Sequence, residues 1–187
     1  ALGATYENGN KVGNCQYSDM TCFSFHPVKG IASGEGGMIT TNNLDTYHKL
    51  TLLRSHGITK GNFEFPGISY PDSSLINKDK ALENGELKRW YYEMQHLGYN
   101  YRITDIQCAL ATSQMDKIDL FLDARKSMAK FYDQAFAEVL NITPLQAHGR
   151  DNSSHHIYVV SVDFDRIGLT RHQFMTRLAE KGVGSQV

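Results

Sequence analysis

FSFHPVKGIASGEGG, residues 23–37, lies between two short runs rich in β-branched, aromatic or sulfur side chains, Met20 to Phe25 and Met38 to Thr41. Gly30, Gly34, Gly36 and Gly37 separate the runs. The pattern predicts a strand, a glycine-rich loop and a second strand, both strands buried. Lys29 falls just past the first strand, close to Pro27 and next to the glycines. A lysine so placed is held in a site rather than left to trail in solvent, as a lysine that bonds covalently to a carbonyl must be. Taken alone the placement is a weak signal, because most lysines are solvated surface groups.

Downstream of this loop, Leu44, Tyr47, Leu50 and Leu53 recur at near-helical spacing and Gly57 follows as a stop. A helix from about Leu44 to His56 is predicted, its apolar stripe packed on the sheet. Thr59 to His96 breaks the periodicity with Gly61, Pro66, Gly67, Pro71 and Gly85, and reads as an extended surface excursion. TDIQ, at Thr104 to Gln107, has the capping-box form and opens a long helical region, with Met115, Ile118, Leu122, Met128, Phe131, Tyr132 and Ala135 on one apolar face to about Ala137. His156 to Phe164 predicts a strand. Thr170 to Lys181 predicts a second capped helix ending before Gly182, and a further strand is expected to begin at Val183.

The 187 residues are 41% hydrophobic and 21% charged, ordinary for a soluble globular chain. Lysine and arginine number 19 against 20 acids, so the basic excess that nucleic acid or an anionic membrane surface selects is missing, and a small-molecule or protein partner is expected. Cys15, Cys22 and Cys108 are odd in number and lack ligand spacing, which argues against a disulfide framework or zinc site and for a reducing, cytoplasmic setting. His155 and His156 have no third ligand at helical or hairpin spacing and are poor metal candidates. No run approaches the roughly 18 apolar residues of a membrane span. ALGATYENGN at the start has no initiator methionine, and GVGSQV stops where a strand is expected, so the sequence reads as a piece of a longer chain.

SFHPVK followed by GEGG closely resembles the cofactor-lysine signature of the DegT/DnrJ/StrS sugar aminotransferases. LRSHG at Leu53 to Gly57 and LGYNYRITDIQCAL at Leu97 to Leu110 resemble two further segments of the same family, in the same order and at about the same separations. Within the family, HPVK, the long stretch after LRSHGI and WYYEMQHLGYNYRITDIQ are similar to the branch that aminates UDP-linked 4-keto sugars for pseudaminic acid, a nonulosonic acid.

The resemblance implies an α/β chain with part of a PLP-dependent transferase fold of type I. Residues 1–125 would be the C-terminal part of the large domain, which binds pyridoxal 5'-phosphate (PLP), together with a long linking helix; residues 126–187 would begin the small C-terminal α+β domain. It makes Lys29 the residue that carries the cofactor and then moves a proton between the substrate carbon and cofactor C4'. Ser24 becomes the serine that hydrogen-bonds the cofactor phosphate. Asn100 becomes the asparagine that reaches the same phosphate from the other subunit, which implies a homodimer with shared active sites. Glutamate would be the amino donor and a 4-keto nucleotide sugar the acceptor.

Without the motif, Ser24 reads as a strand-end hydroxyl and Asn100 as a turn residue. Glu35 reads as a turn carboxylate rather than a catalytic acid, and His26 as a packing residue. Arg102 fits either a substrate phosphate or carboxylate, or a salt bridge at the helix entry. A keto-sugar dehydratase of the same family would have histidine at the lysine position, so Lys29 argues against that activity. A non-catalytic or regulatory member keeping the fold and dimer surface is the rival from another class; retention of Lys29, Ser24 and Asn100 together argues against it. The resemblance also places the aspartate that pairs with the pyridine nitrogen just ahead of ALGA, outside this sequence. Without that carboxylate the electron sink weakens, so the activity is expected of a parent chain.

Overall fold

A computed structural model describes residues 1–59, 82–84, 86–145 and 149–187. They divide into two units, one of residues 10–116 with Leu2, the other of residues 117–187 with Ala1 and Gly3–Gly9.

In the first unit, β1 (Thr21–Ser24) pairs antiparallel with β2 (Gly37–Thr40), Thr21 opposite Thr40 and Ser24 opposite Gly37. The predicted strand, loop and strand are therefore present, but β1 alternates half-buried and exposed residues and β2 is largely exposed. Burial belongs to the loop between them, at Phe25, Ile31 and Ser33. Beneath the strands, the Cys15 thiol donates to the Thr40 carbonyl at 3.3 Å, and the Thr40 hydroxyl donates to the Gly13 carbonyl at 2.8 Å.

Helix α1 (Leu44–Leu53) opens on Asn43, whose side chain accepts the Thr46 N–H, and it is shorter than predicted. Arg54 already serves as its C-cap, and His56 and Gly57 both adopt left-handed backbone. The expected stripe packs only in its second half: Leu50 and Leu53 are half-buried, Leu44 and Tyr47 are exposed, and the fully buried residue is Leu52. The ends of the predicted excursion meet, because β3 (Ile58–Thr59) pairs with a later strand at Glu93–Met94. Between them, β4 (Leu82–Glu83) and β5 (Glu86–Leu87) form a short antiparallel ladder, and β6 is Glu93–Met94 itself. Residues 60–81 and 85 of the excursion, including Gly61, Pro66, Gly67, Pro71 and Gly85, lie outside the described residues.

Helix α2 (Asp105–Met115) starts with the predicted capping box: the Thr104 hydroxyl accepts the Gln107 N–H, and the Gln107 side chain accepts the Thr104 N–H. The single long helical region divides here. Asp116 closes α2, and Lys117, at φ −111° and ψ 6°, precedes a new helix. No glycine or proline marks the break, so periodicity alone carried the prediction through it.

The second unit is built on that helix, α3 (Ile118–Phe136). Its packed side runs through Ile118, Leu122, Arg125, Ala129, Asp133 and Phe136, whereas Met128 and Phe131 of the expected face are exposed. β7 (Ile142–Pro144), which the sequence pattern did not signal, pairs antiparallel with β8 (Val160–Val162). The predicted strand over His156 to Phe164 contracts to β8, because Asp163 caps a one-turn helix, α4 (Phe164–Ile167). Helix α5 (Arg171–Glu180) has the predicted Thr170–Gln173 capping box, and Gly182 follows it in left-handed backbone. No strand forms over residues 183–187.

Candidate active site

Ser24 closes β1, and the chain turns at once. The Lys29 N–H donates to the His26 carbonyl at 2.9 Å, the Val28 N–H to His26 Nδ1 at 3.4 Å, and the His26 N–H to Ser24 Oγ at 3.5 Å. Ser24 and Lys29 thus belong to one local turn, with Ser24 exposed and Lys29 half-buried. The Ser24 hydroxyl acts there as an acceptor and keeps its own hydrogen to donate.

The far side of the loop is fastened more tightly. Phe25 uses both backbone groups across it, donating to the Gly36 carbonyl at 2.8 Å and accepting from the Ser33 N–H at 2.9 Å. The Ser33 hydroxyl, in a residue 2% exposed, donates to the Glu35 carbonyl at 2.9 Å. Gly36 has φ +147°, a conformation that favours glycine, and a Cβ there would press on Ile103 Cδ1 at 2.9 Å. The His26 imidazole and Glu35 carboxylate are 3.9 Å apart and largely exposed, so the pair contributes a few tenths of a kcal/mol at most. Glu35 therefore holds the loop through its carbonyl, in keeping with a turn role.

Asn100 sits on a different segment, which adds itself to the end of α1. The Tyr99 N–H donates to the Leu53 carbonyl at 2.6 Å, the His56 N–H to the Tyr99 carbonyl at 2.7 Å, and the Tyr101 N–H to the Arg54 carbonyl at 2.9 Å. Asn100 then lies opposite Ser55 in an antiparallel bridge, exposed. The contact needs two glycines, since a Cβ at Gly57 would strike the His96 carbonyl oxygen and one at Gly98 the Gly57 backbone. LRSHG and LGYN, two of the motif segments, are therefore one structural unit. Tyr99 and Tyr101 stack at 4.8 Å beside Asn100, and Leu97 and Tyr101 are 90% and 73% exposed. Arg102 is exposed and pairs with no acid among the described residues.

Sequence reasoning overlooked two residues of α2 as parts of this site. The Ala32 N–H donates to Gln114 Oε1 at 2.9 Å, and Gln107 Nε2 donates to the Glu35 carbonyl at 2.9 Å. Glutamine rather than glutamate at the third helical position was the one visible hint.

The family model for DegT/DnrJ/EryC1/StrS aminotransferases matches residues 1–187. This chain belongs to that family. Among curated members it is 34% identical over 187 residues to a UDP-4-amino-4,6-dideoxy-N-acetyl-beta-L-altrosamine transaminase of Campylobacter jejuni, covering 100% of this chain and 42% of that protein. Among solved structures it resembles Helicobacter pylori PseC, an aminotransferase involved in the biosynthesis of pseudoaminic acid, with TM-score 0.76, 29% identity, and coverage of 100% of this chain and 42% of that one. The PLP form of Spr1654 from Streptococcus pneumoniae matches with TM-score 0.74, 28% identity, and coverage of 100% and 41%. The chain spans about two fifths of the length of these aminotransferases. Its fold is the corresponding part of the PLP-dependent transferase fold of type I, an α/β architecture.

Lys29 and Ser24 suit the cofactor of such enzymes. An amine in a fixed turn can bond the aldehyde carbon, and an exposed strand-end hydroxyl with a hydrogen to donate can meet the phosphate.

Proposed function

We propose that this chain is part of a PLP-dependent aminotransferase that transfers an amino group, with glutamate as donor, to the 4-keto carbon of a nucleotide-linked sugar on the way to pseudaminic acid or a related amino sugar. The observation that carries the proposal is Lys29 in the turn that follows Ser24, on a loop closed by Phe25, Ser33 and Gly36, within a chain that matches the family along its whole length. The relatives' names supply the substrate class.

The cofactor, when bound, supplies an electron sink and carries the amine between the two substrates. Lys29 Nζ would hold the cofactor through its aldehyde carbon and, when free, would be the base that moves a proton between the substrate carbon and cofactor C4'. Ser24 donates its hydroxyl to the cofactor phosphate. Asn100 reaches the phosphate of a second subunit's site, in a homodimer whose contact surface includes the exposed Leu97, Tyr99, Tyr101 and Ile106. Apolar side chains exposed together beside a polar ligand favour burial against a second copy. Among the described residues no helix is long and apolar enough to cross a membrane. Cys15, Cys22 and Cys108 are free thiols.

The experiment is to add pyridoxal phosphate to the purified chain, record its near-ultraviolet and visible spectrum, reduce with borohydride and map the modified peptide. A protein-induced band with the phosphopyridoxyl group fixed on Lys29 is expected. Label scattered over surface lysines, with no such band, would overturn the assignment of Lys29.

A further inference from the structure

Gln107 and Gln114 stand seven residues apart, two turns along one face of α2, and both reach the Lys29 loop. They do so with opposite polarity: Gln114 accepts the Ala32 N–H through Oε1, and Gln107 donates to the Glu35 carbonyl through Nε2. The two bonds fasten the loop on either side of Ser33, whose own hydroxyl donates to the same Glu35 carbonyl. Gln107 has two tasks at once. Its Oε1 accepts the Thr104 N–H at 3.1 Å to complete the capping box, while its Nε2 holds the loop. A glutamate would serve the cap equally well. Only an amide can serve both ends, because a carboxylate has no hydrogen to give the Glu35 carbonyl.

We propose that Gln107 and Gln114 are positioning residues for Lys29, coupling helix α2 to the cofactor loop through one donated and one accepted side-chain hydrogen bond. The proposal rests on the assignment of Lys29 as the cofactor lysine. Ala32 and Glu35 lie three and six residues beyond Lys29, so the two bonds fix the loop's path without touching the reacting atoms. Loss of the Gln114 bond leaves the Ala32 N–H without its partner, loss of the Gln107 bond leaves the Glu35 carbonyl with the Ser33 hydroxyl alone, and either lets the path of residues 29–35 vary.

The test compares the wild-type chain with Gln114→Ala, Gln114→Glu and Gln107→Glu, reading amide hydrogen exchange at Ala32, the fraction of borohydride-fixed phosphopyridoxyl group found on Lys29, and the melting temperature. Gln114→Ala keeps a strong helix former in α2. It should exchange the Ala32 amide roughly two- to tenfold faster and reduce the Lys29 share of the label by a similar factor. Gln114→Glu keeps the acceptor and should restore both. Gln107→Glu keeps the capping box, so its melting temperature should fall only by the small amount one lost hydrogen bond accounts for, while the Lys29 share of the label falls. Unchanged Ala32 exchange in Gln114→Ala, or an unchanged Lys29 share in both Gln114→Ala and Gln107→Glu, would overturn the proposal. A wild-type chain that takes no label on Lys29 defeats the cofactor assignment instead, and with it the positioning of Lys29 as a cofactor lysine; Ala32 exchange then still shows whether Gln114 holds the loop.

Discussion

The Lys29 loop and the loop that carries Arg150 to Tyr158 face the same problem, since each is an irregular segment that must be fixed, and they solve it with different chemistry. Around Lys29 the fastenings are backbone groups, the Ser24 and Ser33 hydroxyls, the His26 imidazole and two neutral amides. In the second unit they are charges: Asp133 on α3 accepts from the Tyr158 hydroxyl at 2.7 Å and pairs with Arg150 at 2.7 Å, and the Arg150 guanidinium lies 5.2 Å from the centre of the Tyr158 ring. Arg125, on the same helix, donates to the His155 and His156 carbonyls at 3.4 and 3.2 Å. Most of the fastenings of the Lys29 loop carry no charge, the His26 imidazole beside Val28 and Glu35 being the titratable exception. A charged cluster ties its segment firmly but makes the tie depend on protonation.

The sharpest way to break the comparison is to separate chemistry from fastening. On the proposed function Lys29→Ala removes the amine that bonds the cofactor, and it removes none of the backbone bonds that close the loop. Activity of the full-length enzyme should fall by about 10²- to 10⁴-fold, with the melting temperature unchanged. A large fall in melting temperature would show that Lys29 is also a structural fastening.

Gly57→Ala is expected to have the next largest effect. The new Cβ meets the backbone oxygen of His96 in a left-handed conformation, and neither can yield without moving the segment that carries Asn100. A loss of about 1–3 kcal/mol in denaturant unfolding is expected, together with faster amide exchange at Tyr99 and Tyr101. Wild-type exchange at those amides would disprove the docking of residues 95–101 on α1.

The smallest effect concerns the charged cluster. Hydrogen bonding from Tyr158, then from Arg150, holds the Asp133 carboxyl below its ordinary value against an opposing cost of burial. Burial, helped by the Arg150 charge, pushes His155 down, and burial followed by the bond to Asp133 pushes the Tyr158 hydroxyl up. The folded pKa values of His155 and Asp133 lie below the unfolded ones. Their contributions are therefore complete above about pH 6.5 and 3.9 respectively, and are lost as pH falls through the folded values. The folded pKa of Tyr158 lies above its unfolded value, so its contribution is complete below about pH 10 and is lost as pH rises through the folded value. Stability of the second unit should form a plateau between these limits, and Tyr158→Phe should lower it by about 1 kcal/mol, weaken the acid dependence that comes from Asp133 and remove the alkaline loss. Amide exchange followed against pH in β7 and β8 and in β1 and β2 reads the two units separately. Equal acid sensitivity in both would erase the contrast.

Sequence by itself determined what depends on neighbours within a few positions. Thr104 with Gln107 and Thr170 with Gln173 form capping boxes because a hydroxyl and an amide three residues apart satisfy each other's backbone wherever the helix lies. The strand, loop and strand around Lys29 were legible for the same reason, and the motif residues carried the family. Tertiary structure decided the rest. The break at Lys117 has no local marker, the packed stripe of α3 depends on what lies beside the helix, and β7 became a strand by pairing with β8. The ties that hold the Lys29 loop join residues 82 and 72 positions apart, Ala32 to Gln114 and Glu35 to Gln107. A glutamine's second hydrogen-bonding end can be assigned only when the folded chain brings a distant backbone group within about 3 Å.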